Sequence, residues 1–220
     1  MSQPVPRSDA RPIASRVKRA FDVAFGAAGL LISAPIWPVL AIAIKVEDGG
    51  PVLFRQERSG RGGRVFHALK FRSMTVDADR FGARQAVRHD PRVTRIGRLM
   101  RATAIDELPQ LWNILEGDMS VVGPRALRPG EIEAHGSGVF ERLEDVDGFA
   151  LRSSVRPGLT GVAQLYASRN LVRRQKFRYD RVYIRSQSFN LDLRLILLSM
   201  WVSILGGWER RGRPMRGRTS

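Results

Sequence analysis

The pattern of apolar and polar positions divides the chain into unlike parts. Val23 to Ile44 reads VAFGAAGLLISAPIWPVLAIAI, 22 residues without a charge. As one straight helix it would be about 33 Å long, against a bilayer core of about 30 Å. Pro35 and Pro38 fall near its middle, where a proline removes a backbone donor and crowds the preceding turn. The charges that follow (Lys45, Glu47, Asp48) and the length of the run argue against a secretory signal. Arg11, Arg16, Lys18 and Arg19 precede the run, and Lys45, Arg55, Arg58, Arg61 and Arg64 follow it. A crossing helix keeps its Lys and Arg mostly on one side. The pattern therefore predicts a re-entrant helix over 16–48 that bends at Ser33-Ala34-Pro35, keeps both ends cytoplasmic, and uses Ser33 to hydrogen-bond a carbonyl freed by the bend. A buried core helix or an ordinary span fits the same run.

Beyond it the apolar spacing shortens. PVLFRQ predicts a strand, GRGG at 60–63 a turn, and RVFHALKFRSM a second strand, together a hairpin. Residues 77–101 read as charged and partly helical, with Arg92, Arg95, Arg98 and Arg101 along one side. In TAIDELPQLWNILEGDMSVVGPRA (103–126), Leu108, Leu111, Trp112, Ile114 and Leu115 are spaced as the buried face of a short helix closed by Gly117. Asp106 and Glu107 stand at its start, where free N–H groups favour negative charge, and Thr103-x-x-Asp106 fits a capping box. Read alone, the acidic pair is a cap as readily as a site. Residues 153–170 read as a turn-rich loop and a short regular run. Residues 171–187 are basic with Phe177, Tyr179 and Tyr183 interleaved. Residues 191–208 are apolar with Trp201 and Trp208 near one end, which fits an amphipathic helix at the headgroup level or a core helix.

Composition narrows the field. The chain has 220 residues, no cysteine and three histidines (His67, His89, His135), so disulfides and thiolate sites are excluded and a zinc site is not indicated. Thirty-seven Lys and Arg against 21 Asp and Glu give a net charge of +16, which favours a polyanionic neighbour, nucleic acid or an anionic leaflet. The uncharged run favours the membrane. The predicted fold class is α+β, mostly helical: a polar lead-in (1–15), the membrane segment (16–48), a globular domain with a β-hairpin and interfacial amphipathic helices (49–208), and a basic tail (209–220).

The residues KRAFDVAFG, GGPVLFRQERSGRGGRVFHALKFRSM, RVTRIGRLMRATAIDELPQLWNILEGDMSVVGPRA, VRPGLTGVAQL and SFNLDLRLIL, in this order from about Val17 to Trp208, resemble the bacterial sugar transferase family, the monotopic phosphoglycosyl transferases. DELPQLWNILEGDMSVVGPR after KFRSM carries most of the specificity. The resemblance implies that Asp106 and Glu107 are the catalytic dyad, with Asp106 the nucleophile on the β-phosphorus of a UDP-sugar and Glu107 a ligand of Mg2+. It implies transfer of a sugar phosphate to undecaprenyl phosphate with release of UMP, at the cytoplasmic face of the inner membrane, as the first membrane step of exopolysaccharide, O-antigen or glycoconjugate synthesis. A homodimer is compatible with it.

Phosphate chemistry calls for fixed cations, and Lys70, Arg72, Arg101, Arg125 and Arg156 are the candidates. The chain departs from the family in three places. Ala126 stands where many members have a second proline after Gly-Pro-Arg, Ala104 where Ser is common, and Ala34 between Ser33 and Pro35. Few residues precede the core, so a minimal catalytic form is expected. The rival reading is a basic membrane-associated nucleic-acid-binding or scaffold protein, which the resemblance disfavours.

Overall fold

The computed structural model describes residues 15–76, 78, 90–134, 140–168 and 171–205. The expected lead-in up to residue 14, the basic tail, Trp208, His89 and His135 lie outside them. The long apolar run forms two helices, α1 (Ser15–Ser33) and α2 (Ile36–Asp48), bent by 62° at the break between them. Pro35 is the N-cap of α2 and Pro38 lies in its first turn, so neither ring removes a donor the second helix needs. The bend is held locally. Ala34 N donates to Leu30 O at 2.8 Å, Trp37 N to Ala34 O at 3.2 Å, and Trp37 Nε1 to Ser33 Oγ at 3.1 Å. Ser33 Oγ donates to Leu30 O at 3.3 Å, not to the carbonyl of Leu31 that Pro35 leaves without its helical donor. No single helix among the described residues is long and apolar enough to cross a membrane; the bent pair is, by length and composition.

The hairpin forms as expected, β1 (Leu53–Ser59) antiparallel to β2 (Val65–Phe71). Period-two alternation places Phe66, Ala68 and Lys70 on one face, opposite Arg58, Gln56 and Phe54 of β1. Next among the described elements come α3 (Arg95–Thr103), a 3₁₀ turn (Ile105–Glu107) and α4 (Gln110–Glu116), which Gly117 ends in the left-handed conformation. β3 (Ser120–Val122), the β4–β5 pair (Ile132–Ala134, Phe140–Arg142), α5 (Phe149–Ser153), β6 (Gly158–Thr160), α6 (Val162–Tyr166), α7 (Arg173–Arg185) and α8 (Phe189–Ile204) complete the described order. This is an α+β arrangement in which helices dominate.

The main core joins Phe66 and Ala68 of the hairpin, Leu111 and Ile114 of α4, Val121 and Val122 of β3, and Leu195, Ile196 and Val202 of α8. Tyr183 is buried in it, and Phe177 is buried against Leu127 and Leu143; neither ring is free to stack on a base. A second cluster ties α2 to the hairpin and α3, with Trp37 edge-on to Phe71 at 5.1 Å beside Ile44 and Met100.

The bent pair is fastened to both helices that flank the acidic pair. Arg19 of α1 donates to the Ile114 carbonyl and, at 2.6 Å, to that of Leu115, a cation on the C-terminal carbonyls of α4. Glu47 of α2 accepts from Arg95 N at 2.5 Å and Ile96 N at 3.1 Å, an anion on the N-terminus of α3. Buried Asp22 accepts from Ser120 Oγ and Val121 N, both at 2.9 Å, and Lys18 pairs with Asp192 at 2.6 Å. Each of these helices, and α8, also carries apolar side chains turned away from the core: Leu31 and Ile32 are exposed, as are Val39, Ile42 and Val46, and so are Leu197, Met200 and Trp201 of α8.

Two sequence expectations are corrected here. Thr103 does not cap the acidic turn; its hydroxyl donates back to Leu99 O and Met100 O inside α3 (3.0 and 3.2 Å). Trp112 is half exposed, whereas polar Gln110 and Asn113 are buried. Asn113 holds the hairpin edge, accepting from Leu69 N and donating to His67 O, both at 2.9 Å. Two backbone hydrogen bonds explain a polar side chain on a face the apolar spacing reserved for Trp112.

Candidate active site

The acidic pair lies on the 3₁₀ turn between α3 and α4. Ala104, just ahead of it, has φ 59°, the one positive φ of a non-glycine among the described residues. A residue with a Cβ is strained there, and the left-handed turn lets α3 end and the chain reverse into Asp106 and Glu107.

Lys70 comes from the inward face of β2 and donates to Glu107 Oε1 at 2.6 Å. Arg125, in the loop after β3, brings Nη2 to 3.6 Å of the same oxygen. Both contacts use Oε1, so Oε2 takes part in neither. Burial would raise the Glu107 pKa, but Lys70 and Arg125 outweigh it and hold the carboxyl at about 2. Asp106 differs. It is buried, yet it makes no hydrogen bond or ion pair with another described residue. Burial pushes its pKa up, Lys70 draws it down, Glu107 adds to the rise, and the balance lies above the ordinary carboxylate value. Neighbouring acids are thus separated into one clamped anion and one uncommitted carboxyl.

Beside them is a cleft lined by Arg58, Lys70, Glu107, Gln110, Arg125 and the Gly158–Leu159 segment. Asp106 is not among its lining residues. Arg125 is positioned by close backbone packing of the VGPR and RPGLTG segments. A Cβ on Gly158 would lie 2.0 Å from Gly123 N, so only glycine permits the approach. Two arginines then hold the loop's carbonyls. Arg152, paired with Asp180 at 3.1 Å, donates to Arg125 O at 2.6 Å, and Arg58 donates to Ala126 O at 2.9 Å. They restrain the loop where a second proline is absent.

Of the residues singled out from sequence, the structure brings together Asp106, Glu107, Lys70 and Arg125. Arg101, in the last turn of α3, acts on Asp106 electrostatically and draws its pKa down. Arg72 and Arg156 are elsewhere. Arg72 is buried in an ion pair with Asp48, and Arg156 donates to Gly117 O at 2.7 Å. Ser33 and Pro35 are at the bend. Sequence reasoning missed Arg58, Gln110 and Arg152. Strand alternation was a usable signal for Arg58, because hairpin pairing places it on the face that carries Lys70. For Gln110 the signal was a polar residue at buried-face spacing with Asn113 and Ile114. Arg152 left no sequence signal.

Among the described residues no three His, Asp or Glu side chains gather to hold a metal. Two adjacent carboxylates form an oxygen donor set that suits Mg2+, which keeps waters and takes its other ligands from substrate phosphates. The free Oε2 of an ionised Glu107 fits that use.

A family profile described as bacterial sugar transferase matches residues 13–206. An undecaprenyl-phosphate glucose phosphotransferase of Komagataeibacter xylinus is 46% identical over 189 residues, 83% of this chain and 35% of the relative. A UDP-glucose:undecaprenyl-phosphate glucose-1-phosphate transferase of Caulobacter vibrioides is 43% identical over 185 residues, 82% of this chain and 67% of the relative. An exopolysaccharide production protein of Rhizobium leguminosarum bv. phaseoli is 41% identical over 186 residues, 82% and 91% of the two chains. Alignment with the Komagataeibacter protein thus spans about a third of that relative's length.

Proposed function

Because the chain belongs to the bacterial sugar transferase family, we propose that it transfers a sugar phosphate from a UDP-sugar to undecaprenyl phosphate at the cytoplasmic face of a bacterial inner membrane, with Asp106 as the nucleophile. The observation that carries the assignment is the contrast within the acidic pair. Glu107 is clamped by Lys70 and Arg125, whereas Asp106 is buried, adjacent and uncommitted.

In the first step an Asp106 carboxylate oxygen bonds to the β-phosphorus and the bond to the bridging oxygen breaks. UMP leaves with that electron pair, and an aspartyl phospho-sugar remains. In the second, an anionic oxygen of undecaprenyl phosphate bonds to the same phosphorus, and the Asp106 carboxylate departs unchanged. Lys70 and Arg125 counter the negative charge that brings a carboxylate and a diphosphate together. Glu107, with Asp106 beside it, would hold Mg2+, which would neutralise phosphate oxygens and favour the leaving nucleotide. Family resemblance and the donor set support the metal.

The re-entrant reading of the bent pair is supported by its 62° bend, by basic residues on both flanks, and by exposed apolar side chains near the break. With α8's exposed Trp201, those faces suit a membrane surface that would present the acceptor lipid. The test is UMP release by membrane-extracted protein with Mg2+, undecaprenyl phosphate and a panel of UDP-sugars. The reading requires lipid-dependent turnover with at least one sugar, and loss of turnover in Asp106→Asn. Undiminished turnover by that variant refutes the nucleophile.

A further inference from the structure

The cleft is lined by more cations than anions, although the two terminal nitrogens of Arg58 already donate to Ala126 O and Gln56 Oε1. Arg58, Lys70 and Arg125 line it against one lining carboxylate, Glu107, and Lys70 and Arg125 already share that group's Oε1. Arg58 is crowded as well. Burial, then repulsion from Arg125 and Arg128, lowers its pKa to about 10. Like charges packed this way are stabilised by an anion between them.

Gln110 adds an independent sign. Only 5% exposed, it stands at the first position of α4 and lines the same cleft, and its Nε2 has no partner among the described residues. A buried amide donor without an acceptor is costly to the folded chain. Asn113, three residues on, satisfies both ends of its own amide on β2, so the helix does not leave its buried amides unpaired as a rule. Of the charged groups that line the cleft with Gln110, three are cationic donors and the one carboxylate, Glu107, is engaged by Lys70 and Arg125, so the amide matches an acceptor-rich, anionic ligand. Helical spacing sets Gln110 on the side of Glu107, three residues before it.

We propose that Gln110 Nε2 donates to a non-bridging oxygen of the donor substrate's diphosphate, completing with Arg58 a subsite for the phosphoryl group being transferred. This rests on the transferase reading for the identity of the substrate, but not for the chemical class of the ligand. Gln110 then trades stability of the free protein for contact with the bound phosphate.

The test uses the full chain in detergent or nanodiscs, comparing wild type with Gln110→Met, which keeps bulk without the donor, and Gln110→Glu, which replaces the donor by an anion. Three readouts are needed: UMP release from UDP-glucose, calorimetric binding of inorganic pyrophosphate in Mg2+ buffer, and Tm. Gln110→Met should lower kcat/KM at least about 100-fold and weaken pyrophosphate about 10-fold, with Tm equal to wild type or higher. Gln110→Glu should be worse in both functional readouts. Wild-type pyrophosphate affinity in Gln110→Met, a fall in Tm that parallels its lost activity, or no binding of pyrophosphate by wild type overturns the assignment. If wild type binds pyrophosphate through Gln110 yet releases no UMP from any UDP-sugar, the transferase reading falls and the anion subsite stands.

Discussion

Lys70 Nζ stands 2.6 Å from Glu107 Oε1, an ion pair between the inward face of a β-hairpin and the 3₁₀ turn that opens α4. Its consequence for Asp106 is the more important one. Lys70 is the strongest influence drawing the Asp106 pKa down, against burial and the Glu107 charge that push it up. One lysine therefore serves two acids, fixing the first and keeping the second ionisable.

A pH dependence follows. As the proposed nucleophile, Asp106 would attack only as the carboxylate, so the rate of the first step should rise with pH along an acidic limb above the ordinary aspartate range. Lys70→Met should move that limb to higher pH, because the main influence lowering the pKa is gone. Single-turnover UMP release from pH 4 to 8 checks this, and an unshifted limb contradicts it. The apparent value belongs to the pair.

The stability signs of the two acids are opposite. Glu107 has its folded pKa lowered, so its contribution is present above the unfolded value of 4.5 and fades as pH falls toward about 2. Asp106 has its pKa raised, so its protonated form favours the fold, and that contribution disappears as pH rises through the folded value. Asp106→Asn should therefore leave Tm at pH 7 unchanged or raise it, while Glu107→Gln should lower it. Thermal melts of the two variants at pH 7 decide this; a lower Tm for Asp106→Asn goes against it.

Arg19→Met should loosen the site from a distance. It removes two charge-assisted bonds to the carbonyls ending α4, at a cost of about 2 kcal/mol. Tm should drop by several degrees. A Tm equal to wild type would show that the clamp between α1 and α4 is not needed.

Ala104→Gly should raise stability by up to about 1 kcal/mol, since glycine adopts φ 59° without a Cβ conflict. Denaturant melts measure it. A loss of stability would mean that chain entropy outweighs relief of the turn.

Much of this was legible in the residues, for identifiable reasons. The hairpin announced itself because β1 and β2 alternate and are joined by glycines. The break in the apolar run was marked by Pro35, and the end of α4 by Gly117. The acidic pair was visible, but its local pattern was also that of a cap. What sets the pair apart from a cap is that Thr103 turns back into α3 and that Lys70, 37 residues before Glu107, pairs with it, and both are tertiary facts. Arg72 and Arg156 looked like phosphate ligands because arginine is versatile; Asp48 and the Gly117 carbonyl occupy them. Gln110 and Arg152 escaped notice because a buried amide and a buried guanidinium are defined by their surroundings, not by spacing.

Topology has a direct check, helped by the absence of native cysteine. Arg16→Cys and Arg61→Cys place thiols at exposed positions in the first turn of α1 and at the hairpin turn. Both should react with an impermeant reagent only when the cytoplasmic side is open. Labelling from opposite sides would make the bent pair a crossing.

The most direct measurement is intact-protein and peptide mass spectrometry after mixing the full chain with a turned-over UDP-sugar and Mg2+, without the lipid acceptor. A sugar-phosphate adduct on Asp106 is expected, with one UMP released per adduct and discharge of the adduct when undecaprenyl phosphate is added. Lipid-linked product formed with no adduct at position 106 would contradict it.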